Sequence, residues 1–399
     1  MSGSRFNGSP VPYPSMEFEL TETQRSLRDD VREFAETEIR PEVKRLDEQG
    51  EYPSQILDEL GNRRLAGLTL SEEYDGRGEG LVELALMIEE LSAACMSVAS
   101  ALGLHIGVAA VIERFGSEEQ RDAFLPEMAT FETVGALGQS EANAGSNKLE
   151  METAAERQGN RWVLNGHKQW VTNFYDADYV LTYAKTGPDE AAPHNISAFL
   201  VPTEEFDREN DWDTLGANSV KSPRVSLSDV HVPADRLIGE EEEGYTERGE
   251  IHTGVNVPAR GVGIARAALE DTVSYTSSRE QYSQHISDFQ GVRWEIGEMA
   301  ERVDVARLLT LRAADRADRG HDVTREFAMA KINATQAAVD NANRAVQLHG
   351  GLGYTTEYHV ERYLRDAKLL TIAGGPNEGH KDTLAKAVIE QDESDSVCR

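Results

Sequence analysis

The spacing of apolar residues along this chain changes from helical to strand-like and back again, and those two changes bound the fold. Thr21-Glu22-Thr23-Gln24 has the form of a capping box, Leu27, Val31 and Phe34 follow at helical spacing, and Pro41 stops the run. Leu81 to Leu91 and Gly103 to Phe115 are further apolar helix candidates. Ser117-Glu118-Glu119-Gln120 is a second capping box, opening a helix that runs toward Met128. Near Val134 the texture changes. Arg161 to His167 predicts a strand entering an Asn165-Gly166 hairpin turn, and Tyr179–Tyr183, Ile196–Val201 and Arg224–Val232 predict short strands separated by Asn, Asp, Gly and Pro. Helical spacing returns near Pro258: Ile296, Met299, Val303, Ala306, Thr310 and Ala313 form one stripe, and Phe327 to Leu348 a second long helix.

The expected organisation is α+β: a loose arm (1–15), a helical domain (16–133), a β-barrel or sandwich (134–243), a helical bundle (244–390) and a polar tail (391–399). At 399 residues the chain can bury a large core in two or three domains. Its net charge is −31, and only 9 of its 40 basic residues are lysines. A surface this acidic fits a salt-adapted cytoplasmic protein or an ordinary acidic enzyme. It argues against nucleic-acid and anionic-membrane binding, which need a surplus of Lys and Arg. Two cysteines, Cys95 and Cys398, make no disulfide framework, which points to a reducing compartment. No uninterrupted run long enough for a membrane span and no signal segment is read. No His, Cys or carboxylate cluster has metal-ligand spacing. Gly261-x-Gly263 follows no strand, and neither a phosphate-loop lysine motif nor a Gly-x-Ser-x-Gly elbow occurs.

Several short segments, taken in order, carry a family resemblance. They are Gln139-Ser140-Glu141-Ala142-Asn143-Ala144-Gly145-Ser146-Asn147, Trp170-Val171-Thr172-Asn173, Arg279-Glu280-Gln281-Tyr282, Phe289-Gln290 and Gln347-Leu348-His349-Gly350-Gly351-Leu352-Gly353-Tyr354. Over residues 17 to 390 the chain resembles the FAD-dependent acyl-CoA dehydrogenases, whose architecture is helices, β domain, four-helix bundle. The resemblance implies that Trp170 walls the flavin ring, that Thr172 bonds its N5, and that Gln139 and Ser140 lie near the ring. It implies that Ser146 touches the CoA chain and that Arg279 and Tyr282 serve FAD across a subunit contact. Gln290, Gln347, Gly350 and Gly351 would hold the adenosine half, with Pro376 and Glu378 also at the cofactor. An acyl-CoA substrate, an electron-transfer flavoprotein as acceptor and a homodimer or homotetramer are implied with it. Read without the resemblance, Trp170 is a strand-packing residue, Arg279 a helix-surface charge and Gly350-Gly351 a helix terminus.

The resemblance breaks at the catalytic base. Oxidising an acyl thioester requires removal of its α proton by a group within hydrogen-bond reach, in a dry site. The family places that glutamate at one of two positions, which correspond here to Gly374 and Thr253. The backbone N–H of Gly374 is left to bond the thioester oxygen, with Ala373 and Thr253 beside the substrate. Glu250, one helical turn before Thr253, is the candidate relocated base and His252 a weaker one; a solvated helix-end glutamate is the plain alternative. Ala373-Gly374-Gly375, together with Arg77 in Tyr74-Asp75-Gly76-Arg77-Gly78, is similar to the sulfinopropionyl-CoA desulfinase branch. There an arginine facing the acyl end would pair with a sulfinate or carboxylate, although Arg77 also reads as an exposed loop arginine. Two functions beside a dehydrogenase therefore stay open: a desulfinase-like lyase or hydrolase, and a homologue that binds flavin or acyl-CoA without catalysis.

Overall fold

The structure is a computed structural model that describes residues 19–249 and 252–397, with side chains through residue 389. The chain opens with α1 (Glu22–Phe34), α2 (Val43–Gln49), α3 (Ser54–Asn62), α4 (Leu81–Ala94), α5 (Met96–Phe115) and α6 (Glu118–Ala129). Both capping boxes form: Thr21 Oγ1 accepts from the Gln24 N–H at 3.2 Å, and Ser117 Oγ from that of Gln120 at 3.2 Å. The helix of α5 begins at Met96, seven residues before the predicted Gly103. By length and composition α5 is apolar enough to cross a membrane, but it is mostly buried between α4, α6 and the strand β1 (Gly135–Gly138).

The central domain holds β1, β2 (Ala154–Arg157), β3 (Arg161–Lys168), β4 (Tyr179–Lys185), β5 (Ile196–Pro202), β6 (Asp207–Asn210), β7 (Arg224–Pro233) and β8 (Leu237–Ile238). One leaf runs β6-β7-β3-β2 and the other consists of β4, β5 and β8 with β1 parallel to β4. A single pairing, Ala154 with Lys185, joins the leaves. Trp162, Leu164, Val225, Leu227 and Val232 of the first leaf share a core with Val180, Phe199 and Val201 of the second, so the leaves face each other as a sandwich. The outer face of the second leaf, with Leu181, Tyr183, Ile196 and Leu200, packs on α5 and α6.

The predicted Asn165-Gly166 hairpin turn is not one. Both residues lie inside β3, at an irregularity in its pairing with β7 between Leu164 and Gly166. A side chain at Gly166 would fall 2.4 Å from Thr153 Oγ1, so the glycine serves a close approach between strands. The actual reversal is made by Gly159, at φ +65°, between β2 and β3.

The C-terminal part contains α7 (Gly244–Gly249), α8 (Asn256–Ser278), the hairpin β9 (Glu280–Gln281) and β10 (Gln284–His285), α9 (Gln290–Asp318), α10 (Thr324–His349), α11 (Val360–Leu370) and α12 (Asn377–Val397). The predicted stripe on α9 faces inward, with Met299, Val303, Ala306, Thr310 and Ala313 buried. Small residues let α8 sit close to its neighbours: a side chain at Gly261 would meet the Ala334 backbone at 2.7 Å, and one at Gly263 the Glu89 carbonyl at 2.4 Å. Where α4, α8 and α9 meet, Glu89 accepts from Arg266 (3.1 Å) and Arg307 (2.6 Å), and Glu90 accepts from Arg266 (2.6 Å) and Arg32 (2.9 Å). Burial pushes the Glu89 carboxyl up, but the Arg307 hydrogen bonds and the surrounding guanidinium charges outweigh it and hold the group below the usual range.

Candidate active site

Two of the three segments that form this site meet on α5, and the third packs against α8. The first is the loop after β3. Trp170 (φ +61°) and Asn173 (φ +69°) both occupy the left-handed region, which non-glycine residues adopt only when their surroundings enforce it. The enforcement is visible at Asn173. It is buried, its Nδ2 donates to the carbonyls of Ala101 on α5 (2.9 Å) and Gly135 (3.3 Å), and its Oδ1 accepts from the Tyr52 hydroxyl (3.1 Å). That anchorage leaves Trp170 projecting outward, 47% exposed and stacked on Trp212 with ring centroids 5.1 Å apart. Thr172 Oγ1 lies 3.0 Å from Ser222 Oγ.

The loop containing Gln139, Ser140 and Ser146 is tied to the same place. The Gln169 N–H donates to the Ser140 carbonyl at 2.8 Å. Beneath it the buried Lys168 ammonium meets Glu141 at 2.5 Å, and Glu141 also accepts from the N–H groups of Glu152 (2.6 Å) and Thr153 (3.2 Å). Burial pulls Lys168 down to about 8, opposed by Glu141. Lys148, which sequence reasoning passed over, donates to Ser140 Oγ at 2.7 Å, and its burial lowers its pKa. Ser146 is exposed and Gln139 half-buried.

The second segment is the turn His252–Val255 leading into α8. Thr253 is buried, and side chains at Gly107 and Gly103 of α5 would meet Thr253 Oγ1 at 3.5 Å and Asn256 at 3.2 Å. His252 is exposed. Glu250, the candidate base, lies outside the described residues.

The third segment carries Ala373 and Gly374. Gly374 and Gly375 have φ of +67° and +87°, and a side chain at Gly374 would point at Val257 of α8, 3.0 Å from its Cγ2. Lys331 of α10 holds this loop, donating to the Gly375 carbonyl (2.8 Å) and to Asn377 Oδ1 (2.9 Å). His380 Nε2 donates to the Gly374 carbonyl at 2.9 Å, which leaves the Gly374 N–H uninvolved in that contact. Arg77 is half-buried; its backbone N–H donates to Gly67, and its side chain makes no hydrogen bond or ion pair among the described residues. Pro376 is half-buried and Glu378 exposed at the start of α12.

The remaining site residues from the sequence lie elsewhere. Arg279 caps the C-terminus of α8, so a helix about 35 Å long separates it from Thr253. Tyr282, 90% exposed, and Gln290 follow it. Gln347, Gly350 and Gly351 are exposed at the end of α10, where His349 stacks on Tyr275 of α8 with centroids 4.3 Å apart. One chain thus presents two separate patches. The first offers an aromatic plane with hydroxyl and amide donors. The second offers a guanidinium and two glycines whose Cα faces are open, with no atom within 4 Å of an added side chain. Each patch carries groups of a kind a flavin dinucleotide needs: an aromatic plane with donors at the first, a guanidinium at the second.

Three family models match the chain: Acyl-CoA dehydrogenase, N-terminal domain, over residues 21–132; middle domain over 136–230; and C-terminal domain over 252–389. The probable acyl-CoA dehydrogenase YngJ of Bacillus subtilis is 36% identical over 383 residues, covering 94% of this chain and all of the relative. A chain solved in work on the electron transferring flavoprotein of Acidaminococcus fermentans superposes with a TM-score of 0.91 at 32% identity, covering 94% of this chain and 99% of that one. Butyryl-CoA dehydrogenase of Megasphaera elsdenii superposes with a TM-score of 0.90 at 31% identity, covering 94% of this chain and 100% of that one.

Proposed function

The chain belongs to the acyl-CoA dehydrogenase family and is a FAD-dependent oxidoreductase, and on that premise we propose that it oxidises the Cα–Cβ bond of an acyl-CoA thioester and passes the electrons to an electron-transfer flavoprotein. The observation that carries this reading is the meeting on α5 of the Trp170–Asn173 loop and the start of α8, with the Gly374 loop packed against Val257 of α8. Trp170 walls the ring, Thr172 and Ser140 donate to its edge, and Ser146 meets the CoA chain. The bound flavin supplies the acceptor for the hydride leaving Cβ.

The Gly374 N–H donates to the thioester carbonyl, which favours the charge that develops there as the α proton departs. That proton needs an acceptor, and neither Gly374 nor Thr253 can be one. Glu250 takes this role in our reading. A second reading, a desulfinase-like lyase, draws support from the Ala373-Gly374-Gly375 sequence. The separation of Arg279 from Thr253 by the whole length of α8 supports a site completed by a second copy, in a dimer or tetramer. The charge of −31 supports a salt-rich cytoplasm as the working environment.

The test is anaerobic flavin bleaching of the purified holoprotein in high salt with short, branched, long and dicarboxylic acyl-CoAs. Rapid bleaching by one class is expected, and Glu250→Gln is expected to abolish it while acyl-CoA binding persists. Bound thioesters that never bleach the flavin would favour the lyase reading. Bleaching unchanged in Glu250→Gln would remove Glu250 from the mechanism.

A further inference from the structure

Arg260 is buried beside this site with no acidic partner. It is 7% exposed and sits one turn beyond Val257, the residue that faces Gly374. Its Nη1 donates to Ser100 Oγ at 2.7 Å and its Nε to the Asn256 carbonyl at 3.4 Å. Both partners are neutral. The other deeply buried arginines are paired: Arg266 with Glu89, Glu90 and Glu270, and Arg362 with Asp366. Among the described residues no Asp or Glu lies within ion-pair distance of Arg260, in a chain with 71 acidic residues against 40 basic ones. Burial alone acts on its titration, pulling it down to about 10, and Lys331 adds a second cation close enough for the two charges to repel. An unpaired guanidinium in a dry interior is costly, and its natural complement is an anion arriving from outside.

We propose that Arg260 receives the free terminal carboxylate of the acyl group, so that the substrate is the CoA thioester of a short dicarboxylic acid. This deepens the acyl-CoA reading above and rests on it. The placement fixes the scale. Arg260 lies three helical steps beyond Val257, about 4.5 Å along the helix axis. The guanidinium turns back toward Asn256, so the anion it binds lies only a few methylenes from a thioester held at Gly374. A guanidinium has five N–H groups; the two contacts above leave donors for a two-oxygen clasp, and the Ser100 hydroxyl stands beside them. A neutral acyl chain of equal length would leave the cation buried and unpaired, so discrimination comes both from the attraction and from the cost of omitting it. Arg77, which the sequence suggested for this part, lies on the loop before α4, away from α8 in sequence.

The test measures binding without turnover. The FAD-loaded enzyme is titrated calorimetrically with 3-thiaglutaryl-CoA and with 3-thiapentanoyl-CoA, in which sulfur replaces the β-methylene so that neither can be dehydrogenated. The wild type is expected to bind the anionic thioester at least tenfold more tightly. Arg260→Met is expected to erase that preference while keeping affinity for the neutral thioester, Arg260→Lys to retain part of it, and Arg77→Ala to leave it intact. Equal affinities in the wild type, or a preference that survives Arg260→Met, would overturn the proposal. The wild-type comparison decides even where the Met variant does not fold. A tenfold preference with no bleaching by any oxidisable thioester would instead count against the dehydrogenase reading and leave the role of Arg260 standing.

Discussion

At the scale of single residues, the Gly374–Gly375 pair adopts a backbone that would accommodate a glutamate poorly. Both residues sit at positive φ, and a side chain at Gly374 would press on Val257. A glutamate there would meet backbone strain as well as crowding. The conformation depends on Lys331, whose two hydrogen bonds span Gly375 and Asn377. Burial, with Arg260 adding repulsion, lowers Lys331 from 10.5 to about 8. Between pH 8 and 10.5 the unfolded chain therefore holds the proton more firmly than the folded one, so this group makes stability rise with pH across that window. Below about 8 both states are charged and the penalty is complete; above 10.5 it is gone. In chemical denaturation, Lys331→Met is expected to lose this rise, so that the wild-type-minus-variant difference climbs from pH 8 and levels near 10.5. A difference that stays flat would mean the ammonium is not destabilised in the folded protein.

At the scale of elements, the junction of α4, α8 and α9 is held by charge as well as by packing. Glu89 is buried between Arg266 and Arg307, and its removal takes a buried partner from each, leaving Arg266 its pairs with Glu90 and Glu270 and Arg307 the exposed Asp304. Glu89→Ala is expected to cost about 3–5 kcal/mol, read from urea midpoints, whereas Glu298→Ala at an exposed pair on α9 should cost about 0.5 kcal/mol or less. This junction shows what the sequence could and could not reveal. The capping boxes at Thr21 and Ser117 and the stripe from Met299 to Ala313 were legible because they are local patterns with fixed spacing. The strand through Asn165-Gly166 was misread because a two-residue turn and a bulge share one local signature; the neighbour Thr153, close in space, decides between them. At the site, the Trp170–Asn173 motif did mark a loop that the structure shows with two residues in the left-handed region. Lys148, Asn173 and Lys331 act through partners 8, 72 and 44 residues away in sequence, and no spacing rule finds those. Arg260 did leave a trace, as one charge in the small apolar run from Val257 to Gly263. Its meaning depended on finding no acid opposite it.

At the scale of the whole molecule, α8 acts as a spacer. Its 23 residues, about 35 Å, set Arg279, Tyr282 and Gln290 at the far end of the helix from Thr253. If two copies complete one site, damage to different patches should be repaired by mixing. Arg279→Ala and Trp170→Ala chains, each expected to lose FAD when expressed alone, are expected to regain a fraction of it when co-expressed, because some mixed interfaces pair an intact ring patch with an intact diphosphate patch. Absence of any recovery in verified mixed oligomers would place the whole cofactor within one subunit. The Trp170–Trp212 stack gives this assembly a built-in optical signature. Of the four tryptophans, Trp162 is buried in the sandwich and Trp294 stands exposed on α9, while Trp170 and Trp212 share one half-wet stack. Indoles in such contact exchange excitation, and a flavin on the free face of Trp170 would drain it, so ultraviolet emission is expected to dim as each site fills, with no attached label.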